Sequence, residues 1–316
     1  MTTAFDKMQS HGNDFVLLDL RQFCSSYVVS RDIIARISHR IFGIGCDGVV
    51  LYKKSQCKDL SSMPLTLVDV RFFNADGSMA EICGNALRCL GLLVHIRHGV
   101  SQCTALTRNC KQRHLLTVND ADNITVTGEK PSFSAGDIGL TKSVKNPLQL
   151  DVICDLQLID NALVPTVLQD CLKVACISVG NPHLVFFLKK LPSTKQAKTI
   201  GEQLMANPLF KNGVNVSFAH IIDELTTTTL EKNLPIPAAP AVIESITYER
   251  GVGLTMACGS GASAVAILAQ QCRMIQSSLV LVHQRGGSLR IDINNQDGSY
   301  AHTGAAVHVF SGNIDL

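Results

Sequence analysis

Ala80-Glu81-Ile82-Cys83-Gly84-Asn85-Ala86-Leu87-Arg88-Cys89 is the stretch on which the reading of this chain turns. It has a counterpart in Thr255-Met256-Ala257-Cys258-Gly259-Ser260-Gly261-Ala262. In both, a cysteine is followed by Gly and a small polar residue, then by a run with the composition of a helix. The runs are Ala86 to His95 and Ala262 to Gln270. Each cysteine is therefore expected where a loop enters a helix, among unsatisfied N–H groups and the positive end of the dipole. A thiol that titrates near ~8.5 in water is drawn toward the thiolate in such a setting. A single cysteine ahead of a helix is most often an inert core residue. The repetition of the whole setting points instead to two proton-transfer groups working as a pair.

The flanking sequence is duplicated as well. Gly12-Asn13-Asp14-Phe15-Val16 comes before Cys83, and Gly180-Asn181-Pro182-His183-Leu184-Val185 comes before Cys258 at a similar interval. Short β-prone runs fill each half: Phe15 to Leu20, Val49 to Tyr52, Leu65 to Phe73, Cys103 to Thr107, His114 to Val118 and Ile124 to Thr127 in the first. The second has Val174 to Val179, Leu184 to Phe187, Gly213 to Phe218, Ile243 to Tyr248, Leu279 to Val282, Ser288 to Ile293 and Ala306 to Phe310. Ser30 reads as the N-cap of a helix with apolar residues at 33, 34, 37 and 41, and Ile200 to Met205 as part of another. Many short strands with one central helix per half define an α+β fold of two similar domains. Lys130 to Gly139 is the linker candidate, and Thr226 to Pro240 reads as a long hairpin loop. The halves are expected to pack about a pseudo-twofold axis, with the two cysteines facing one cleft.

Composition removes several classes of function. A net charge of +2 over 316 residues implies no nucleic-acid or anionic-membrane partner. No run reaches the roughly 18 apolar residues of a membrane helix, and the N-terminus lacks the pattern of a secretory signal. Twelve cysteines in that context read as reduced cytoplasmic thiols rather than a disulfide framework, and none has zinc-site spacing. Gly43-Ile44-Gly45-Cys46-Asp47-Gly48 matches a dinucleotide-loop pattern but follows a helix and precedes a strand, so it reads as a turn. No metal and no cofactor is expected.

Paired acid–base groups of one kind suit inversion at carbon: one thiolate removes a proton from one face and the other thiol donates to the opposite face. A hydrolase would ask for a histidine beside its nucleophile. The helix N-termini after Gly84-Asn85 and Gly259-Ser260 would hold an α-carboxylate.

Taken together, these motifs resemble those of diaminopimelate epimerases, which are racemases independent of pyridoxal phosphate. The resemblance rests on Gly12-Asn13-Asp14-Phe15, Phe73-Asn74-Ala75-Asp76-Gly77, Cys83 to Cys89, Gly180-Asn181-Pro182-His183, Tyr248-Glu249-Arg250-Gly251 and Ala257 to Gly261, in family order and almost end to end. It implies interconversion of LL- and meso-diaminopimelate, a step toward lysine and peptidoglycan, with Cys83 and Cys258 as the acid–base pair. Asn13, Asn74, Asn181, Asn215, Glu249 and Arg250 match substrate-holding positions, with Arg250 on the distal carboxylate. Gly84, Asn85, Gly259 and Ser260 match the α-carboxylate cradle, and His183 and Glu249 support the cysteines. The implied domains are 1–130, rejoined by 303–316, and 131–302, each a mostly antiparallel β-barrel around a central helix, in a cytoplasmic homodimer. Gly48 stands where many family members carry Gln. A proline- or hydroxyproline-type racemase, or an idle binding protein of the same fold, would share the two-helix framework.

Overall fold

The computed structural model describes residues 2–23, 29–55, 66–80, 82–107, 112–128, 130–142, 144, 146–150, 156, 169–222 and 240–316. The chain divides into two compact units, Met1–Glu129 with Thr303–Leu316, and Lys130–His302.

The first unit opens on a hairpin, β1 (Thr2–Ser10) and β2 (Asn13–Asp19), closed by two residues with positive φ, His11 at 52° and Gly12 at 81°. Positive φ at both turn positions matches the twist of paired strands, and Gly12 takes it without steric cost. Helix α1 (Arg31–Ser38) follows, and Ser30 Oγ caps it by accepting from the Ile33 N–H. Next come β3 (Gly48–Lys54), β4 (Thr66–Asn74), β5 (Met79–Ala80), helix α2 (Gly84–His98), β6 (Gln102–Thr107), β7 (Gln112–Val118) and β8 (Ile124–Thr127). Along this series the pairing is antiparallel for β1–β2, parallel for β2–β3 and antiparallel for β3–β4 and β4–β5. It is parallel for β4–β6 and antiparallel for β6–β7 and β7–β8.

The second unit repeats the scheme. A short helix α3 (Ala135–Ile138) leads to β9 (Cys171–Ser178), β10 (Pro182–Leu188), α4 (Thr194–Met205), β11 (Asn215–Ile222), β12 (Ala241–Glu249) and β13 (Gly253–Leu254). Then come helix α5 (Gly259–Gln271), β14 (Leu279–Gln284), β15 (Gly287–Ile293) and β16 (Tyr300–Gly304). Pairing is antiparallel for β9–β10, parallel for β10–β11, and antiparallel for β11–β12 and β12–β13. It is parallel for β12–β14 and antiparallel for β14–β15. The order of senses is that of the first unit, with α1 matched by α4 and α2 by α5. The chain ends in β17 (Val307–Asp315), antiparallel to β1.

Strands surround both central helices. Residues 84–94 of α2 are all buried, and their apolar side chains pack with residues of β1 through β8, among them Met8, Leu17, Val50, Phe72, Leu116 and Ile124. α5 is likewise buried from Gly261 to Ala269 among Ile177, Phe187, Ile243, Val282 and Ile291. A helix enclosed on all sides has no polar stripe, which explains why both runs are built of small and apolar residues. The outer helices are amphipathic and close the far faces: α1 buries Ile34 and Ile37, and α4 buries Ala197, Ile200 and Leu204.

Two local expectations change, and one strand was not expected. The apolar period of α1 reaches Ile41 in the sequence, but the helix ends at Ser38. There His39 Nδ1 accepts from the N–H groups of Ile41 and Phe42, and both of those side chains stand exposed. Lys130 to Gly139 is not a bare linker: Ser132 bridges to Ser178, and Ser134 caps α3. The strand over Thr2–Ser10 was not legible as an alternating pattern, because only Thr2 and Ala4 point outward along it and the rest is buried or half-buried. The expected hairpin loop over 226–240 lies outside the described residues except for Pro240.

Candidate active site

Both cysteines are N-cap residues with extended backbone, Cys83 at φ −139°, ψ 109° and Cys258 at φ −127°, ψ 112°. The first intrahelical bonds leave their carbonyls, Leu87 N–H to Cys83 O and Ala262 N–H to Cys258 O, each at 2.9 Å. Small residues make this geometry possible. A Cβ at Gly261 would lie 2.8 Å from Thr247 Oγ1 and 3.2 Å from Cys258 Sγ.

In the first unit the β1–β2 hairpin brings Asn13 to α2. Asn13 Oδ1 lies 3.9 Å from Cys83 Sγ and accepts from Asn85 Nδ2 at 3.2 Å. Asn13 Nδ2 donates to Asp47 Oδ2 at 2.8 Å. Asp47 belongs to an ion cluster. Arg40 donates to Asp47 Oδ1 at 2.6 Å and to Asp14 Oδ1 at 2.8 Å, and Lys7 Nζ meets Asp14 Oδ2 at 2.5 Å. Burial alone would raise the Asp14 carboxyl, but hydrogen bonds from Arg40 and Lys7 outweigh it and hold Asp14 at about 2. On the other side of Asn85 lies Arg88, fully buried, which donates to Asn85 Oδ1 and, at 3.1 and 3.0 Å, to Ser10 Oγ. Asn74 ends β4 and donates to Ser78 Oγ at 2.9 Å across the Asn74–Gly77 turn.

The second unit assembles its own set around Cys258, which is 3% exposed. The Gly261 N–H donates to Cys258 Sγ at 3.2 Å, and Ser260 Oγ lies 3.5 Å from the same sulfur. A helix-terminal N–H aimed at sulfur favours negative charge there. The Cys258 N–H donates to Gln284 Oε1 at 2.8 Å, and Gln284 Nε2 donates onward to Ser245 Oγ. His183 Nε2 lies 3.1 Å from both Asn181 Oδ1 and Ser260 Oγ. Because Asn181 Oδ1 can only accept, the proton belongs on Nε2. Nδ1 is buried with no hydrogen-bond partner among the described residues. Burial, with the positive field of Arg250 second, pushes His183 down to about 3, so the ring is neutral at physiological pH.

Asn215 and Arg250 form a second group in this unit. The Arg250 N–H donates to Asn215 Oδ1 at 2.9 Å, and Arg250 Nη1 donates to Asn212 O at 2.8 Å. Asn215 Nδ2 donates to Pro182 O at 3.1 Å, next to His183. Glu249 ends β12 and accepts from Thr255 Oγ1 at 2.5 Å. The structure thus groups Cys83, Asn13 and Asn85 in one unit, and Cys258, Ser260, Asn181 and His183 in the other. It ties Asn215 to Arg250, and holds Asn74 and Glu249 in separate local bonds. Gly84 and Gly259 are the first residues of their helices. Sequence reading missed Asp47, Arg88 and Gln284. An arginine at 88, within the small and apolar run Ala86 to Val94, was the one available signal. Among the described residues no group of His, Cys, Asp or Glu could hold a metal ion, no helix is long and apolar enough to cross a membrane, and no disulfide joins the eight cysteines.

Two units of one strand order, each with a cysteine capping an enclosed helix, define an α+β protein built from two like units. The phenazine biosynthesis protein of the PhzF family from Bacillus anthracis has this fold, with a TM-score of 0.66 at 12% identity, all of both chains being covered. So does a hydroxyproline epimerase from Agrobacterium vitis, with a TM-score of 0.61 at 10% identity over 100% of this chain and 93% of that one. The diaminopimelate epimerase family profile matches residues 5–132 and 175–309. A diaminopimelate epimerase of Rickettsia rickettsii (strain Sheila Smith) is 31% identical over 98% of this chain and 96% of its own length. One of Acetivibrio thermocellus is 32% identical over 99% and 98%. The chain belongs to the diaminopimelate epimerase family and is an isomerase.

Proposed function

We propose that the chain interconverts LL- and meso-2,6-diaminopimelate, with Cys83 and Cys258 exchanging roles as base and acid at one α-carbon. The observation that carries this reading is the matched placement of the two thiols, each the N-cap of the enclosed helix of its own unit. A weakly acidic α-proton is removable only if the developing charge is held. The N–H groups at the starts of α2 and α5 would hold the α-carboxylate through which that charge spreads. Asn13, Asn74, Asn85, Asn181, Asn215, Ser260 and Glu249 supply polar contacts to the substrate. Arg250 offers a guanidinium fork for the distal carboxylate. His183 is neutral and fixed, so it orients Ser260 beside Cys258 rather than taking the proton itself. No step calls for pyridoxal phosphate or a metal. The reading places the chain in the cytoplasm as a homodimer, on the route to lysine and peptidoglycan precursors.

The test is turnover of LL-diaminopimelate in deuterium oxide. Deuterium should enter at the epimerised α-carbon. Cys83→Ser and Cys258→Ser should each lower turnover by about a hundredfold or more, the range for losing an acid–base group. Near-wild-type turnover in either variant would sink the paired-thiol mechanism. Turnover of proline in place of diaminopimelate would move the chain to the proline-type reading.

A further inference from the structure

The polar residues behind Cys83 form a chain of hydrogen bonds that all run one way. Arg88 donates to Asn85 Oδ1, Asn85 Nδ2 donates to Asn13 Oδ1, and Asn13 Nδ2 donates to Asp47 Oδ2. A fixed cation stands at one end and a fixed anion at the other. An isolated asparagine presents oxygen or nitrogen almost equally well, and its sense is set by its partners. Here each flip is opposed. Reversing Asn13 would point its carbonyl at the Asp47 carboxylate, and reversing Asn85 would point its NH2 at the Arg88 guanidinium. Both opposing bonds are of the charge-assisted kind, roughly twice as strong as neutral ones. The fixed sense decides what Cys83 meets, which is the Asn13 carbonyl oxygen at 3.9 Å rather than an NH2.

We infer that Asp47 is a positioning residue for the reaction. It locks the Asn13 amide so that its oxygen, not its nitrogen, faces the Cys83 sulfur. Asp47 is itself held from behind. Arg40 donates to Oδ1, the Asp47 N–H donates to Asp14 Oδ1 at 3.0 Å, and the Asp14 N–H donates to Asp47 Oδ2 at 3.1 Å. The Asp14–Asp47 pair therefore ties the β1–β2 hairpin to the turn before β3 and fixes the carboxylate that Asn13 reads. This role rests on the proposed epimerase reading for its effect on turnover, but its effect on Cys83 chemistry does not.

The experiment is a double-mutant cycle over Asp47→Ala and Asn13→Ala, read in two ways. The first is kcat/KM for LL-diaminopimelate, and the second is the rate of Cys83 alkylation by iodoacetamide at pH 7, followed by peptide mass with Cys258 as internal control. If Asp47 acts through Asn13, Asp47→Ala lowers kcat/KM by about tenfold or more in the wild-type background and by less than about twofold once Asn13 is Ala. Residues in one hydrogen-bond network couple in this way, whereas independent structural losses multiply. The alkylation rate of Cys83 should rise by about threefold or more in Asp47→Ala, because only the neutral bond from Asn85 Nδ2, at 3.2 Å, then opposes turning the Asn13 NH2 toward the sulfur. It should not rise further in the double variant, and Cys258 should keep its rate. Equal losses from Asp47→Ala in both backgrounds, or an unchanged Cys83 rate in the folded variant, would overturn the inference. Should Asp47→Ala fail to fold, the near-isosteric Asp47→Asn takes its place in the same cycle. It is expected to show the same coupling with smaller changes, and independent effects would again overturn it. Absence of any wild-type turnover of diaminopimelate would reject the function while leaving the alkylation cycle to judge Asp47.

Discussion

At the residue scale, His183 shows how burial sets a chemical role. Taken alone, its sequence context reads more readily as a buried histidine than as a catalytic imidazole. The structure gives it no exposure, a neutral ring and two partners on one nitrogen. A group held at about 3 against the usual 6.5 leaves a mark on stability. Between those pH values the unfolded chain binds the proton and the folded chain does not. Stability is therefore complete above 6.5 and declines as pH falls through the window, by up to about 1.4 kcal/mol per pH unit. Urea unfolding between pH 6.5 and 4.5 should show a shallower decline for His183→Asn than for wild type. Parallel declines would mean that His183 takes its proton within the fold. Asn13 carries the complementary lesson. Its place in a Gly-Asn turn is visible in the sequence, but the partner that orients it, Asp47, is not, since nothing in residue spacing announces which carboxylate an amide will meet.

At the scale of elements, the two cysteine helices were legible because enclosure leaves its signature in composition. A helix buried on all faces is built mostly of small and apolar residues, and the buried stretches of α2 and α5 are. Arg88 is the charged exception, and its burial is offset by bonds to Ser10 and Asn85. The strands were legible in existence rather than extent, since cores on one side and outer helices on the other blur the two-residue alternation. Gly48, which stands where many family members carry Gln, illustrates an element-level constraint. It pairs with Asn74 across β3 and β4, and a Cβ there would lie 2.7 Å from Phe73 O. Gly48→Ala should therefore cost about 1–3 kcal/mol of stability by strand displacement, the usual range for overpacking. Since β4 ends at Asn74, KM for diaminopimelate should rise with it. A variant as stable as wild type would show that β4 yields freely at this point.

At the scale of the whole molecule, the repeated order of strand senses in the two units is the strongest sign of duplication. It accounts for the paired Gly-Asn loops and paired Cys-Gly helices noticed first in the sequence. The outer surface includes apolar side chains on β17, with Val307, Val309 and Phe310 between 44% and 51% exposed. Isolated exposed apolar residues are ordinary, but the homodimer expected for this family gives a direct check. Sedimentation equilibrium at micromolar concentration should return twice the mass of one chain, and a single-chain mass across that range would remove the dimer from the proposal.

The amino-acid sequence alone determined the two enclosed helices, the cysteine at the head of each, the Gly-Asn loops that precede them and the duplication of the halves. These are properties of local composition and order along the chain, and the chain carries them whether or not it is folded. Only the tertiary structure decided that Asp47 and Arg88 anchor opposite ends of the Asn13–Asn85 pair, that Gln284 holds the Cys258 backbone, and that α1 stops short of Ile41. Each of those depends on which buried polar groups must find partners once water is gone, and the partners lie in strands and turns remote in sequence.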